Sequence, residues 1–131
     1  MKTRRDFFKT SLMALGSLLL AIPQPVWAKK MAFRLGQAKK LQKPGGWTIL
    51  KLKGKSILFV RESESSIRAL SSICTHKQCS LAYHPERKRI ECSCHRSAFD
   101  LDGTVLSGPA PKSLPTFSAV LKGDRVIVSL D

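Results

Sequence analysis

All four cysteines and two of the three histidines of this chain fall in one stretch, Cys74 to Asp100. It opens with Cys74-Thr75-His76-Lys77-Gln78-Cys79 and closes with Cys92-Ser93-Cys94-His95-Arg96-Ser97-Ala98-Phe99-Asp100. Thiolate sulfur and imidazole nitrogen offered together from two short segments make the donor set of an iron-sulfur or a zinc site. A closed tetrahedral zinc site would take four of the six donors and leave two idle, and zinc knuckles commonly repeat Cys-x-x-Cys. Here one segment offers Cys-x-His and the other Cys-x-x-His, with a further cysteine in each. A zinc knuckle or a plain pair of disulfides stays open on these residues, although neither uses both histidines at these spacings.

Such loops must be held by rigid elements, and the flanking sequence supplies strands. From Trp47 the apolar period is two: Trp47 to Leu52, a turn at Lys53-Gly54-Lys55, then Ser56 to Arg61, which is a β-hairpin signal. After the polar turn Glu62 to Ser66, Ile67 to Ile73 reads as a strand leading into Cys74. Leu81-Ala82-Tyr83 and Arg89-Ile90-Glu91 flank a turn at His84-Pro85-Glu86-Arg87-Lys88, so the two ligand segments sit on one hairpin. Thr116 to Leu121 and Arg125 to Leu130 repeat the pattern around Lys122-Gly123-Asp124. Beyond residue 28 no stretch shows a 3.6-residue period, which predicts an all-β domain: a small antiparallel sandwich or barrel with an inserted cluster-binding hairpin. His84 lies outside both ligand segments and reads as a solvated imidazole; Met13 and Met31 carry no role that the sequence assigns.

Cys-Thr-His-x-x-Cys followed by Cys-x-Cys-His-x-Ser-x-Phe-Asp resembles the Rieske 2Fe-2S proteins, in their disulfide-bearing branch. Gly108-Pro109-Ala110-Pro111 is similar to the proline loop that covers the cluster in that family, and Leu114-Pro115 follows it. The resemblance spans about Phe33 to Leu130. It implies a 2Fe-2S cluster with Cys74 and Cys92 on one iron, His76 and His95 on the other, and a Cys79–Cys94 disulfide tying the loops together. It also implies that the Ser97 hydroxyl donates to a bridging sulfide. Phe99 stands where high-potential members carry tyrosine, which implies a potential in the middle of the range. Lys77, Gln78 and Arg96 depart too, since quinol-oxidising members resemble one another in having leucine and glycine at the first two and glycine at the third. That leucine resembles part of the apolar lip that docks into a quinol pocket, and a lysine there is costly to bury against a lipid-soluble quinol.

At 131 residues the chain holds one domain with a modest core, for which a cluster and a disulfide are useful cross-links. Its net charge of +14 favours acidic protein partners, anionic lipid head groups or nucleic acid. Nucleic acid is the weakest of the three, because the cations are scattered through strand-like segments without aromatic interleaving. Thr3-Arg4-Arg5-Asp6-Phe7-Phe8-Lys9, the apolar run Leu12 to Ile22 and Pro23-Gln24-Pro25-Val26-Trp27-Ala28 form a twin-arginine export pattern over residues 1–28. The apolar run is short of the ~20 residues a spanning helix needs, so cleavage after Ala28 is expected over retention as a membrane anchor. Residues 1–28 hold only four Lys or Arg against one acid, so the basic character survives processing. Residues 29–46 read as a solvated basic arm with a first edge strand near Phe33, or as an element adhering to an anionic membrane surface; residues 47–131 form the cluster domain, with the cluster-binding subdomain at about 74–111.

Export and cluster imply each other: iron and sulfide are inserted in a reducing cytoplasm, and the disulfide forms after transfer to an oxidising periplasm. The expected function is periplasmic one-electron transfer, as a carrier or small subunit of an oxidoreductase, with an acidic redox protein such as a cytochrome as partner. The alternative is the Rieske subunit of a membrane quinol:cytochrome c oxidoreductase. A purely structural metal domain leaves the loop histidines unexplained, and oxygenase ferredoxins of the family resemble cytoplasmic proteins without the extra cysteine pair. No catalytic constellation of the chain's own is visible: there is no nucleophile with a base, no phosphate-cradling glycine loop and no carboxylate pair.

Overall fold

The computed structural model describes residues 30–76, 78–94 and 96–130. The export pattern at residues 1–28 lies outside these, as do Lys77 and His95. Among the described residues, eleven strands form three antiparallel sheets. β1 (Lys30–Arg34), β11 (Arg125–Ser129) and β10 (Ala119–Lys122) make a three-stranded sheet in the order β1-β11-β10. The second sheet has the order β2-β3-β4-β9, from Trp47–Leu52, Lys55–Arg61, Ile67–Ser71 and Thr116–Phe117. The third runs β5-β6-β7-β8, from Leu81–His84, Arg89–Cys92, Ala98–Phe99 and Val105–Ser107.

The second sheet is the middle layer. Ile57 and Phe59 of β3 enter one core with Ile67, Ala69, Val126 and Val128, and Phe33 meets Phe59 edge-on at 5.1 Å between ring centroids. Leu58 and Val60 enter the other core with Leu70, Leu81, Tyr83, Ile90 and Phe99. A strand covered on both faces has no polar face to present, which is why Ile57-Leu58-Phe59-Val60 is an unbroken apolar run. The β2–β3 connection is tighter than the sequence suggested. Lys53 and Gly54 both have positive φ, 48° and 78°, the two-residue turn whose twist matches the paired strands. The last hairpin is interrupted at Ser118, so β9 joins β4 while β10 joins β11.

Residues 35–41 form two short 3-10 turns. The lysines of this segment are exposed, but Ala38 and Leu41 reach the core, so the stretch expected as a solvated arm is docked. Arg61 fastens it. Its guanidinium is buried and donates to the carbonyls of Leu41 (3.0 Å), Ser63 (2.7 Å) and Glu64 (2.7 Å), which satisfies a buried charge with three acceptors. Met31 packs against the same core.

Candidate metal centre

Three loops converge at one end of the third sheet: the first ligand segment between β4 and β5, the second between β6 and β7, and residues 108–115 between β8 and β9. The ligand segments share one backbone design. Cys74 N–H donates to the Cys79 carbonyl (2.8 Å) and Gln78 N–H to the Cys74 carbonyl (3.0 Å). In the second segment Cys92 N–H donates to the Ser97 carbonyl (2.8 Å) and Arg96 N–H to the Cys92 carbonyl (3.0 Å). The fifth residue of each loop is left-handed, Gln78 at φ 56° and Arg96 at φ 58°. These are two of the positions where glycine was expected, and a side chain there carries a backbone cost of roughly 1–2 kcal/mol.

The cysteines divide by depth. Cys74 and Cys92 are reduced and each 1% exposed, while Cys79 and Cys94 form a disulfide nearer the surface, with Cα atoms 6.4 Å apart. The bond joins the two loops, as expected. Cys92 lies beside it: the sulfurs of Cys79, Cys92 and Cys94 are all within 4.8 Å of one another. His76 follows Cys74 with Nδ1 buried.

The third loop is bonded to both ligand segments. Thr75 Oγ1 donates to the Lys112 carbonyl (2.7 Å), and Ala110 N–H donates to Oγ of the fully buried Ser97 (3.2 Å). Gly108, at φ +89°, lies so close that a Cβ there would come within 2.5 Å of Ser97 Cα. Only glycine permits that approach.

The family description Rieske [2Fe-2S] domain matches residues 31–118. The chain belongs to that family. Among curated relatives, this Rieske chain is 34% identical over 80 residues to cytochrome b6-f complex iron-sulfur subunit 1 of Nostoc sp., covering 60% of the chain and 45% of the relative. The corresponding subunit of Prochlorococcus marinus is 35% identical with the same coverage. The chain thus matches less than half the length of these curated relatives. Among solved structures, the ferredoxin of carbazole 1,9a-dioxygenase from Nocardioides aromaticivorans IC177 superposes with a TM-score of 0.63 at 26% identity, covering 76% of this chain and 95% of the ferredoxin. The plasma membrane Rieske protein PetC3 from Synechocystis PCC 6803 gives 0.59 at 26% identity, covering 72% and 91%.

The residues present fit a Rieske cluster. Two buried reduced thiols stand at equivalent places in paired loops, Nδ1 of His76, two residues after Cys74, is buried, and the buried Ser97 hydroxyl accepts from Ala110 while keeping its own proton to donate.

Phe99 is fully buried on β7, paired with Ile90 and Val105, with no hydroxyl to offer. Sequence reading did not find the partners of His84. Its Nδ1 lies 3.4 Å from Glu86 and its Nε2 3.2 Å from Glu91, which also accepts from Arg87 (2.7 Å) and Arg89 (2.6 Å). The imidazole is the last residue of β5, held by carboxylates of its own hairpin rather than simply solvated. Placing a cross-strand partner needs the register, and the signal available was the Glu-rich, Arg-rich edge of that hairpin. Among the described residues no helix is long and apolar enough to cross a membrane.

Proposed function

We propose that this chain passes single electrons outside the cytoplasm, with Cys74 and Cys92 holding one iron of the cluster and His76 and His95 the other. The observation that carries this reading is the matched pair of loops, each offering one buried reduced thiol at its first position and joined by a disulfide further out. When bound, the cluster supplies a one-electron couple in the range of about −150 to +300 mV. The protein's part is to hold and tune it. Nδ1 of His76 is the nitrogen turned inside, which leaves Nε2 to carry a proton whose acidity depends on the redox state. Ser97 accepts from Ala110 N–H and keeps its own proton for the sulfur side, and the close approach of Gly108 to Ser97 sets residues 108–111 against the second ligand segment.

The exposed Arg96 beside the site and the net charge of +14 favour docking to an acidic redox protein such as a cytochrome or a larger oxidoreductase subunit. The twin-arginine pattern supports export to the periplasm, with residues 1–28 removed or kept as an anchor. The b6-f relatives favour a second reading, the iron-sulfur subunit of a quinol-oxidising membrane complex. Iron and acid-labile sulfide at two each per chain, with a reduced-state paramagnetic signal of the nitrogen-ligated type, are expected of purified protein. Zinc without labile sulfide would overturn the assignment. Mass and fractionation of the exported protein decide between carrier and anchored subunit, and quinol-dependent reduction decides whether quinol is a donor.

A further inference from the structure

The sheet β1-β11-β10 turns one face to the core that holds Val126 and Val128. Its antiparallel register lays out the other face as a grid. Arg34 stands opposite Arg125, and Arg125 opposite Lys122, so one row across all three strands is cationic. The next row is Ala32, Ile127 and Val120, with Val120 47% exposed, and Lys30 starts the row beyond it beside Ser129.

Like charges directly opposite in a sheet destabilise it. No carboxylate among the described residues is ion-paired with Arg34, Arg125 or Lys122 to relieve the cost. A cationic row beside an exposed apolar strip complements a surface that is anionic and partly apolar. A second copy of this chain would meet the face cation to cation. A redox partner has to reach the other core, where Cys74 and Cys92 lie. The chain also enters this face at Lys30, soon after the apolar run Leu12 to Ile22.

We propose that the outer face of β1-β11-β10 docks on an anionic membrane, with the four cations at lipid phosphates and Val120 against the acyl boundary. This surface is separate from the proposed redox site and orients it away from the lipid. The test is co-sedimentation of the full chain with vesicles of phosphatidylglycerol and phosphatidylcholine, against phosphatidylcholine alone. Wild type is expected to prefer the anionic vesicles and to lose that preference with salt. R34Q/K122Q/R125Q is expected to weaken binding by about fivefold per cation, on the order of a hundredfold in all. K51Q/K53Q/K88Q removes the same charge elsewhere and is expected to cost less than fivefold. Equal loss in both triple variants, no loss in the first, or equal binding of wild type to both vesicle types overturns the proposal. So does a first variant that keeps vesicle binding but loses affinity for polyglutamate, which would assign the face to an acidic protein. Its melting temperature is expected to match or exceed wild type, because the like-charge row is relieved. A reduction potential equal to wild type in every variant keeps this test separate from that of the redox site.

Discussion

Ser97→Ala separates tuning from scaffolding. The Ser97 side chain is fully buried, and its oxygen accepts from Ala110 N–H at 3.2 Å, so its own proton stays available for an acceptor, which the proposed function places on the cluster. Removing a donor to a charged acceptor costs roughly 1.5–3 kcal/mol. For a one-electron couple, where 59 mV is tenfold, that lowers the reduction potential by about 65–130 mV, because the reduced state holds the extra negative charge. The same change strands the Ala110 N–H under the third loop, a loss of about 1–3 kcal/mol of folding stability. Protein-film voltammetry reads the first quantity and denaturant unfolding the second. A variant that loses stability and keeps its potential would show the hydroxyl to be only a bridge between loops and would refute the tuning argument.

Phe99→Tyr, at a fully buried position, is expected to raise the potential in voltammetry, and an unchanged or lower value would defeat the view that a missing hydroxyl sets it. Replacing Cys79 and Cys94 by serine opens a link across 15 residues and should cost about 3 kcal/mol in denaturant unfolding, with little change for a bond that merely decorates the surface. Arg96→Gly removes a side chain from a φ of 58° and should stabilise the protein by at most about 1 kcal/mol in the same assay; a loss would mean that the arginine makes compensating contacts. Hydrogen bonds from Arg68 (3.0 Å) and then Ser66 hold the Glu62 carboxyl below its ordinary range. The stability this gives is therefore present above the unfolded carboxyl pKa and is lost as pH falls through the lower folded value. Glu62→Gln should flatten thermal melts on the acid side of that window, and an unchanged acid limb would exclude this carboxylate as the cause.

The strands were legible because their half-buried faces alternate, and the two ligand segments because six donors crowd a short stretch. What escaped was the part that depends on pairings distant in sequence. β1 with β11, residues 30–34 against 125–129, has no local signature, and that pairing carries the docked 3-10 turns with it. Thr116 to Leu121 read as one strand because its pattern is continuous; Ser118 divides it because two different sheets claim its ends. Arg61 read as the polar end of a strand, yet it is buried, since three carbonyls meet it only after the chain has folded. Ser97 was legible as a residue type, but the Ala110 N–H that bonds its oxygen to the third loop was not.

Depth also explains how one chain can run two cysteine chemistries a few ångströms apart. The first position of each loop follows a strand or ends it, as Cys92 ends β6 opposite Leu81, so its side chain inherits the core. Cys79 and Cys94 occupy different places within their loops, the sixth and the third, and are less buried, with Cys94 exposed. An oxidant in solution therefore reaches the outer pair first, and the bond it makes ties together the two segments that carry the inner pair. Closing that bond limits how far the loops can part, so the same fold that shields two thiols also uses the other two to keep the shield shut.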